Sequence, residues 1–502
     1  MAHLQTLFSS SAAEIHGGAP ELADKIKPFR RFVLSVSSPI LFIVLIVLLM
    51  PLAQSSAVFG RGGGGSPVLV GGRKVLLPGG SVVGQGSNSY AVVFDAGSSG
   101  SRVHVFHFDE EFNLLKIGDD VEVFEQVKPG LSSYANDPQE AANSLLSLLE
   151  KAESVVPVEL QPSTPVRVGA TAGLRNLGIE TSDQILQAVR DLLQNRSSFL
   201  FKSEWVAILD GYQEGSYLWV AINFLLENLG KELSGTVGVV DLGGGSAQMA
   251  YAISNSEAEN APNVPGEDPY VKPLILKGNT YHVYAHSYLN YGLLAARAEI
   301  LNAGGDSYNY CILDGYEGSY TYNGKTYPSS ASSSGPSYDE CRSNVITVLK
   351  VDEQCAYKNC SFNGVWSGGG GDGQKNLYVA SFFYDRAVEA GFVDSEQHTA
   401  KVSPLDFKTA AMQACNLSVD EAKVKYPDLE ETDIPYICMD LVYEYILLVD
   451  GFGLEASQEI TLVKQLNYGD SLVEAAWPLG TAIELITSAS KVSITEDSKQ
   501  LL

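Results

Sequence analysis

Apolar residues in this chain gather in short runs that stop at glycine and serine. Ser89–Asp95 (SYAVVFD) is one such run; it is broken by AGSSGS and resumed by RVHVFHFD, where apolar and polar positions alternate. That pattern predicts a strand, a tight turn and a second, half-buried strand. A third strand is expected around Asp120–Val127. Pro138 then opens a segment whose leucines recur at helical spacing. Val166–Gly173 reads as a buried strand, Ser182–Leu193 as a helix and Val206–Gly211 as another strand. From Glu214 an apolar helix runs on until Gly230 closes it. Thr236–Ile253 then repeats the opening plan of strand, glycine turn and strand. Asp95-Ala-Gly-Ser-Ser-Gly and Asp241-Leu-Gly-Gly-Gly-Ser each end an apolar strand and begin a hairpin. Two copies of one βαβ-rich unit, facing each other, would place both glycine turns on one cleft. The fold class expected is therefore α/β.

Upstream the pattern changes. Phe32–Leu52 is twenty-one residues without a charge, about the length that spans a bilayer as a helix. Lys25, Lys27, Arg30 and Arg31 precede it, which favours a cytosolic N-terminal flank and a type II anchor. A cleaved signal peptide is the alternative, with Ser55 and Ala57 as small residues before the cut, but thirty-one preceding residues are long for one. Both readings place the rest of the chain outside the cytosol, as a Golgi or plasma-membrane protein if anchored and as a secreted one if cleaved. Residues 54–88 are rich in glycine and serine and read as a flexible stem. Thr326–Ser337 and Ser367–Gly373 read as loops.

Charge and cysteine content narrow the function. With 33 Lys and Arg against 59 Asp and Glu, the net charge is −26, which argues against a nucleic-acid partner. All six cysteines lie between Cys311 and Cys438. Neighbour pairing (Cys311 with Cys341, Cys355 with Cys360, Cys415 with Cys438) suits the spacing, although six cysteines allow fifteen connectivities. Sequons at Asn195, Asn359 and Asn416 agree with a secretory route.

The glycine turns are the candidate chemistry. A Gly/Ser run after a strand aims several backbone N–H groups at one point and so binds phosphate oxygens without cationic side chains. Ser98, Ser99 and Ser101 add hydroxyls in the first turn; Gly243, Gly244, Gly245 and Ser246 form the second. Asp95 and Asp241 would repel a phosphate unless a divalent cation lay between them, and Ca²⁺ or Mg²⁺ suits an oxygen-only shell. An ordinary hairpin with a self-capping aspartate is the alternative for either turn alone; recurrence favours the phosphate reading. Thr171 follows a strand and would reach the cation through a water. Glu214 could polarise a water for in-line attack on a terminal phosphate, although an acidic residue early in a helix is also common for dipole reasons alone. Other motifs fail: Asn323-Gly-Lys-Thr lacks the first P-loop glycine, having Ser319 there, and no G-x-S-x-G elbow occurs.

Five segments together carry a resemblance: Asp95-Ala-Gly-Ser-Ser-Gly-Ser, Gly169-Ala-Thr-Ala-Gly-Leu-Arg, Leu209-Asp-Gly-Tyr-Gln-Glu-Gly, Asp241-Leu-Gly-Gly-Gly-Ser-Ala-Gln and Trp477-Pro-Leu-Gly. In this order they resemble the five conserved regions of apyrases, and the intervening text is most similar to plant apyrases, which are nucleoside triphosphate diphosphohydrolases. The likeness runs from Ser89 to Ile486. It implies two actin-like, ribonuclease-H-type domains (89–203 with 466–502, and 204–465) and a nucleotide in the cleft between them. It further implies hydrolysis of nucleoside tri- and diphosphates to the monophosphate with Ca²⁺ or Mg²⁺. Glu214 would be the general base, with Ser246 and Gln248 holding its water. Asp95, Asp241, Thr171 and Trp477 would surround the hydrated cation. Ser98, Ser99 and the amides of Gly97 and Gly244 would meet phosphate oxygens. Gly100 stands where animal cell-surface relatives carry histidine, which removes one phosphate donor. Phe383 or Tyr384 would stack on the base or, as the reading preferred here, belong to the core. A carbohydrate-binding, lectin-like protein on the same fold is the alternative; cytosolic sugar kinases and chaperone ATPases fit the anchor, cysteines and sequons poorly.

Overall fold

The computed structural model describes residues 89–264, 268–303 and 308–487, all within one compact unit. The expected anchor and stem lie outside the described residues, and among those described no helix is long and apolar enough to cross a membrane.

Strands β1 (Ser89–Ala96), β2 (Ser101–Phe108), β3 (Glu122–Val127), β4 (Val166–Ala170) and β5 (Val206–Ile208) form one sheet in the order β3-β2-β1-β4-β5. A larger sheet is built from β6 (Gly238–Leu242), β7 (Ser246–Ile253), β8 (Val271–Leu276), β9 (Asn279–Leu289) and three later strands. The hairpin β10 (Glu317–Tyr322) and β11 (Lys325–Ser330) stands apart. It is followed by β12 (Leu377–Ser381), β13 (Thr399–Val402) and β14 (Ile460–Val463), which complete the larger sheet in the order β13-β14-β12-β6-β7-β9-β8. A last hairpin joins β15 (Gln465–Tyr468) to β16 (Ser471–Glu474).

The two sheets share one plan. In the first, β1 pairs antiparallel with β2 and parallel with β4, which pairs parallel with β5. In the second, β6 pairs antiparallel with β7 and parallel with β12, which pairs parallel with β14. Asp95 and Asp241 therefore occupy equivalent places, at the C-terminal end of a central strand next to a glycine turn. This is the repeat that the two Asp-Gly motifs predicted.

Side chains of β1 alternate between two cores. Val92 and Phe94 pack with Leu148, Ile185 and Val189 from the helices Leu146–Val155 and Ile179–Arg196. Ala91 and Val93 instead join a core with Leu218, Trp219 and Ile222 of the helix Gly211–Leu225 and with Val239, Ala250 and Val283 of the larger sheet. That helix lies between the sheets and is buried nearly all round, so it carries no polar face. A third core surrounds the helix Ile437–Ile446.

Several expectations shift. The central helix begins at Gly211, where Gln213 Oε1 accepts from the Asp210 amide at 3.1 Å, and ends at Leu225 rather than Gly230. Its last turn unwinds through Glu227 at φ 55° and Gly230 at φ 96°. The segment after Pro138 is two helices, Pro138–Asn143 and Leu146–Val155. Thr326–Ser330 is strand, not loop, because Tyr327 and Ser329 alternate inward while β10 supplies the partner. The disulfides join Cys311 to Cys341, Cys355 to Cys360 and Cys415 to Cys438. Phe383 and Tyr384 are both in the core.

Candidate active site

The two glycine turns meet. A Cβ placed on Gly244 would lie 2.6 Å from Ser98 Oγ, and one on Gly245 would lie 2.8 Å from Ala172 Cβ. A side chain on Gly244 would push the two turns apart, and one on Gly245 would strike the helical turn that begins at Ala172, so glycine is what permits both contacts. The carbonyls of Gly243, Gly244 and Gly245 accept from the amides of Leu293, Ala295 and Asn290, all at 2.9 Å, which ties that side of the turn to the fold. The Gly243 amide closes its own hairpin on the Ser246 carbonyl at 3.0 Å. Gly97 lies beside Arg102 and Gly130, and Ser98 packs against Gly173. Ser99 is half-buried in the same turn.

Thr171 ends the strand β4 register, donating its amide to Ala96 O at 3.3 Å. Its carbonyl accepts from Leu174 and Arg175, both at 3.2 Å, and so starts the single helical turn Ala172–Arg175. That turn carries Arg175 to Glu214, where Nη2 donates to Oε2 at 2.6 Å. The same guanidinium reaches Ser246 Oγ and Ser287 Oγ, each at 3.4 Å. Gln248 Nε2 donates to Ser246 Oγ at 2.6 Å and to Ser287 Oγ at 2.7 Å. Gln248 Oε1 is buried without a protein partner and so remains an unspent acceptor.

Three carboxylates face one another here. Glu214 is only 7% exposed, and burial raises its pKa to about 7; Arg175 pulls it down while Asp241 and Asp95 push it up. Burial likewise raises Asp95, opposed by Arg102, which sits 3.4 Å away, and by the Trp477 indole. Asp241 is raised by burial and by Asp95, against the pull of Arg102 and of Ser381, whose Oγ donates to its Oδ1 at 2.6 Å. Trp477 is buried with its ring edge over Gly169. Asp95 Oδ1 has no hydrogen-bond partner although it is buried. An orphaned carboxylate oxygen beside a second carboxylate, with threonine near and no soft ligand among them, fits a hard divalent cation such as Ca²⁺ or Mg²⁺.

The structure thus brings Asp95, Ser98, Thr171, Glu214, Asp241, Gly244, Ser246, Gln248 and Trp477 to one place. Arg175, Ser287 and Ser381 join them although sequence reasoning gave none of them a role. Arg175 had a signal, since it ends the second motif as that motif's one charged residue. Ser287 and Ser381 had none.

With this geometry in hand, comparison with known proteins is informative. The model of the GDA1/CD39 (nucleoside phosphatase) family matches residues 81–499. The chain is 59% identical over 471 residues to "Probable apyrase 1" of Oryza sativa subsp. japonica, covering 93% of this chain and 96% of that one. It is 58% identical over 406 residues to "Apyrase 1" of Arabidopsis thaliana, covering 80% and 86%. Among solved structures, a nucleoside triphosphate hydrolase from Neospora caninum aligns with TM-score 0.54 at 14% identity, over 79% of this chain and 92% of that one. That last likeness concerns the fold.

Proposed function

The chain belongs to the GDA1/CD39 (nucleoside phosphatase) family and is an apyrase-type enzyme that hydrolyses nucleotide phosphates; from that premise we propose the following reaction. The enzyme cleaves nucleoside tri- and diphosphates one phosphate at a time to the monophosphate, by in-line attack of a water that Glu214 deprotonates. The observation that carries this reading is Glu214 itself, a buried carboxylate with a pKa near 7 that lies between two phosphate-type turns. A general base works best when its pKa is close to the operating pH.

Ser98, Ser99 and the amides around Gly97 and Gly244 hold phosphate oxygens in this scheme, leaving the terminal phosphorus facing the central helix. Gln248 Oε1 and Ser246 Oγ orient the water, and its proton passes to Glu214 Oε as the new P–O bond forms. The bond to the bridging oxygen breaks, and that oxygen leaves on the shortened nucleotide. Asp95 and Asp241, with Thr171 and Trp477 around them, would hold Ca²⁺ or Mg²⁺, which supplies charge neutralisation at the phosphate oxygens. Arg175 fixes the Glu214 rotamer and moderates its basicity.

The repeated sheet plan supports two domains built on 89–203 with 466–502 and on 204–465. Three disulfides and the exposed sequon residues Asn195 and Asn416 support a catalytic part in the secretory lumen or outside the cell, held by the anchor Phe32–Leu52. The test is phosphate release from ATP, ADP and UDP with Ca²⁺, with Mg²⁺ and with chelator. Glu214→Gln should lose at least about a hundredfold in kcat, and chelation should abolish turnover. Undiminished hydrolysis by that variant would remove Glu214 from the mechanism.

A further inference from the structure

Ser381 is the last residue of β12 and the residue before the helix Phe382–Glu389. A serine there ordinarily keeps an extended backbone and accepts a hydrogen bond from the first helical turn. Ser381 does neither. Its backbone lies at φ 62°, ψ −127°, and its side chain makes no capping bond. Only glycine visits that region freely, so a serine stays there when its surroundings hold it. The hydroxyl is turned to Asp241 Oδ1, to which it donates at 2.6 Å.

The sheet explains the reach. β12 runs parallel to β6 with Ala380 opposite Asp241 and Ser381 opposite Leu242. Both strands end at the same edge, beside the second glycine turn. A regular cap conformation would spend the hydroxyl on the helix that follows; the left-handed turn frees it for the neighbouring strand. Asp241 has Asp95 and Glu214 both in electrostatic range, opposed by Arg102, which makes no direct ion pair with it. A carboxylate in such company has no intrinsic reason to keep one rotamer, and a short charge-assisted bond supplies one.

We propose that Ser381 is a positioning residue for Asp241: it pins Oδ1, so that the carboxylate faces Asp95 in an arrangement ready for a divalent cation. The proposal rests on the reading of Asp95 and Asp241 as the cation shell. Its strained backbone is the cost of that placement.

The experiment measures Ca²⁺ binding to the nucleotide-free protein by calorimetry, and thermal stability in chelator, for wild type, Ser381→Ala, Ser381→Gly and Asp241→Asn. Ser381→Ala should weaken Ca²⁺ roughly tenfold, the effect of losing one hydrogen bond to a charged group, and saturating Ca²⁺ should restore much of the hydrolysis rate. Ser381→Gly should show the same weakening while melting no lower than wild type, because glycine accepts the backbone. A purely structural role would instead let glycine keep wild-type affinity. Ca²⁺ affinities within twofold of wild type in both serine variants, with Asp241→Asn strongly impaired, would overturn the assignment of Ser381 and leave the cation shell standing. Unchanged affinity in Asp241→Asn would overturn the shell itself.

Discussion

Replacing Arg175 tests the proposed base, Glu214, most directly. Arg175 is 15% exposed at its side chain and Glu214 9%, so their contact at 2.6 Å is weakly screened. Arg175 is the cation that acts on Glu214 most strongly; burial and the two aspartates all raise its pKa. Arg175→Met keeps most of the side-chain volume and removes the charge. Loss of a close guanidinium should raise Glu214 by about one to two pH units. Starting from a pKa near 7, the ionised fraction at neutral pH would fall from about half to between roughly 1 and 10%. The assay is kcat/KM for ATP between pH 5.5 and 10 at one saturating Ca²⁺ concentration, so the pull of the cation on Glu214 is common to both proteins. The acid limb should move upward by that one to two units, with most of the lost rate regained above pH 9. Arg175→Lys, which keeps a positive charge, should move the limb less. A uniform loss at every pH, with the limb unmoved, would mean that Arg175 acts on substrate and not through Glu214.

Three further outcomes follow from named contacts. Glu214 has its folded pKa raised from 4.5 to about 7, so its stabilising share is present below pH 4.5 and lost as the pH rises through 7. In chelator, the stability of Glu214→Gln relative to wild type should therefore improve by up to about 3 kcal/mol between pH 4.5 and pH 8, measured by urea unfolding; parallel curves would refute the burial argument. Gly169→Ala would set a Cβ 2.5 Å from Trp477 Cη2 and 3.0 Å from Leu209 Cδ1. It should cost about 1–3 kcal/mol of stability and weaken Ca²⁺ binding, and a melting temperature equal to wild type would show that the ring moves freely. Breaking Cys415–Cys438, which spans 23 residues, should cost about 3 kcal/mol with little change in kcat per folded molecule, because the bridge joins elements of the third core rather than the site.

What could be read from the chain and what could not divide along a physical line. Asp95 and Asp241 were legible because strand, glycine turn and strand are local patterns, and because each repeats the other. Glu214 was legible only by its neighbours: a glutamate early in an apolar helix says little until two glycine turns flank it. Arg175 lies 39 positions from its partner, and pairing at that range is decided by the parallel register of β4 and β5, not by spacing. Ser381 was invisible, since its importance comes from a backbone angle and from the alignment of β12 with β6. The end of the central helix was missed for a related reason: apolar residues continue to Leu229, but they continue in a turn that the same core buries.

The net charge of −26 and a polyanionic substrate are compatible because of how the central helix is used. Gly211–Leu225 is the element shared by both sheets, and its burial is what removes water from Glu214. The packing that desolvates Glu214 also fixes its place, because Leu218, Trp219 and Ile222 on the following turns lock into the core that Ala91 and Val93 share with Val239 and Ala250. Basicity and geometry thus have one cause. The proposed phosphate recognition has another: amides and hydroxyls of the two turns carry no net charge, so they add nothing to the repulsion among Asp95, Asp241 and Glu214. Those three carboxylates are balanced locally, by Arg102 at Asp95, by Arg175 at Glu214 and by the Ser381 hydroxyl at Asp241. Asp95 and Glu214 each have a guanidinium in contact, whereas Arg102 reaches Asp241 only through its longer-range field, and of the three only Asp95 keeps a buried oxygen unpaired. The weakest compensation therefore falls between the two aspartates, at the place where the proposed reaction puts a divalent ion.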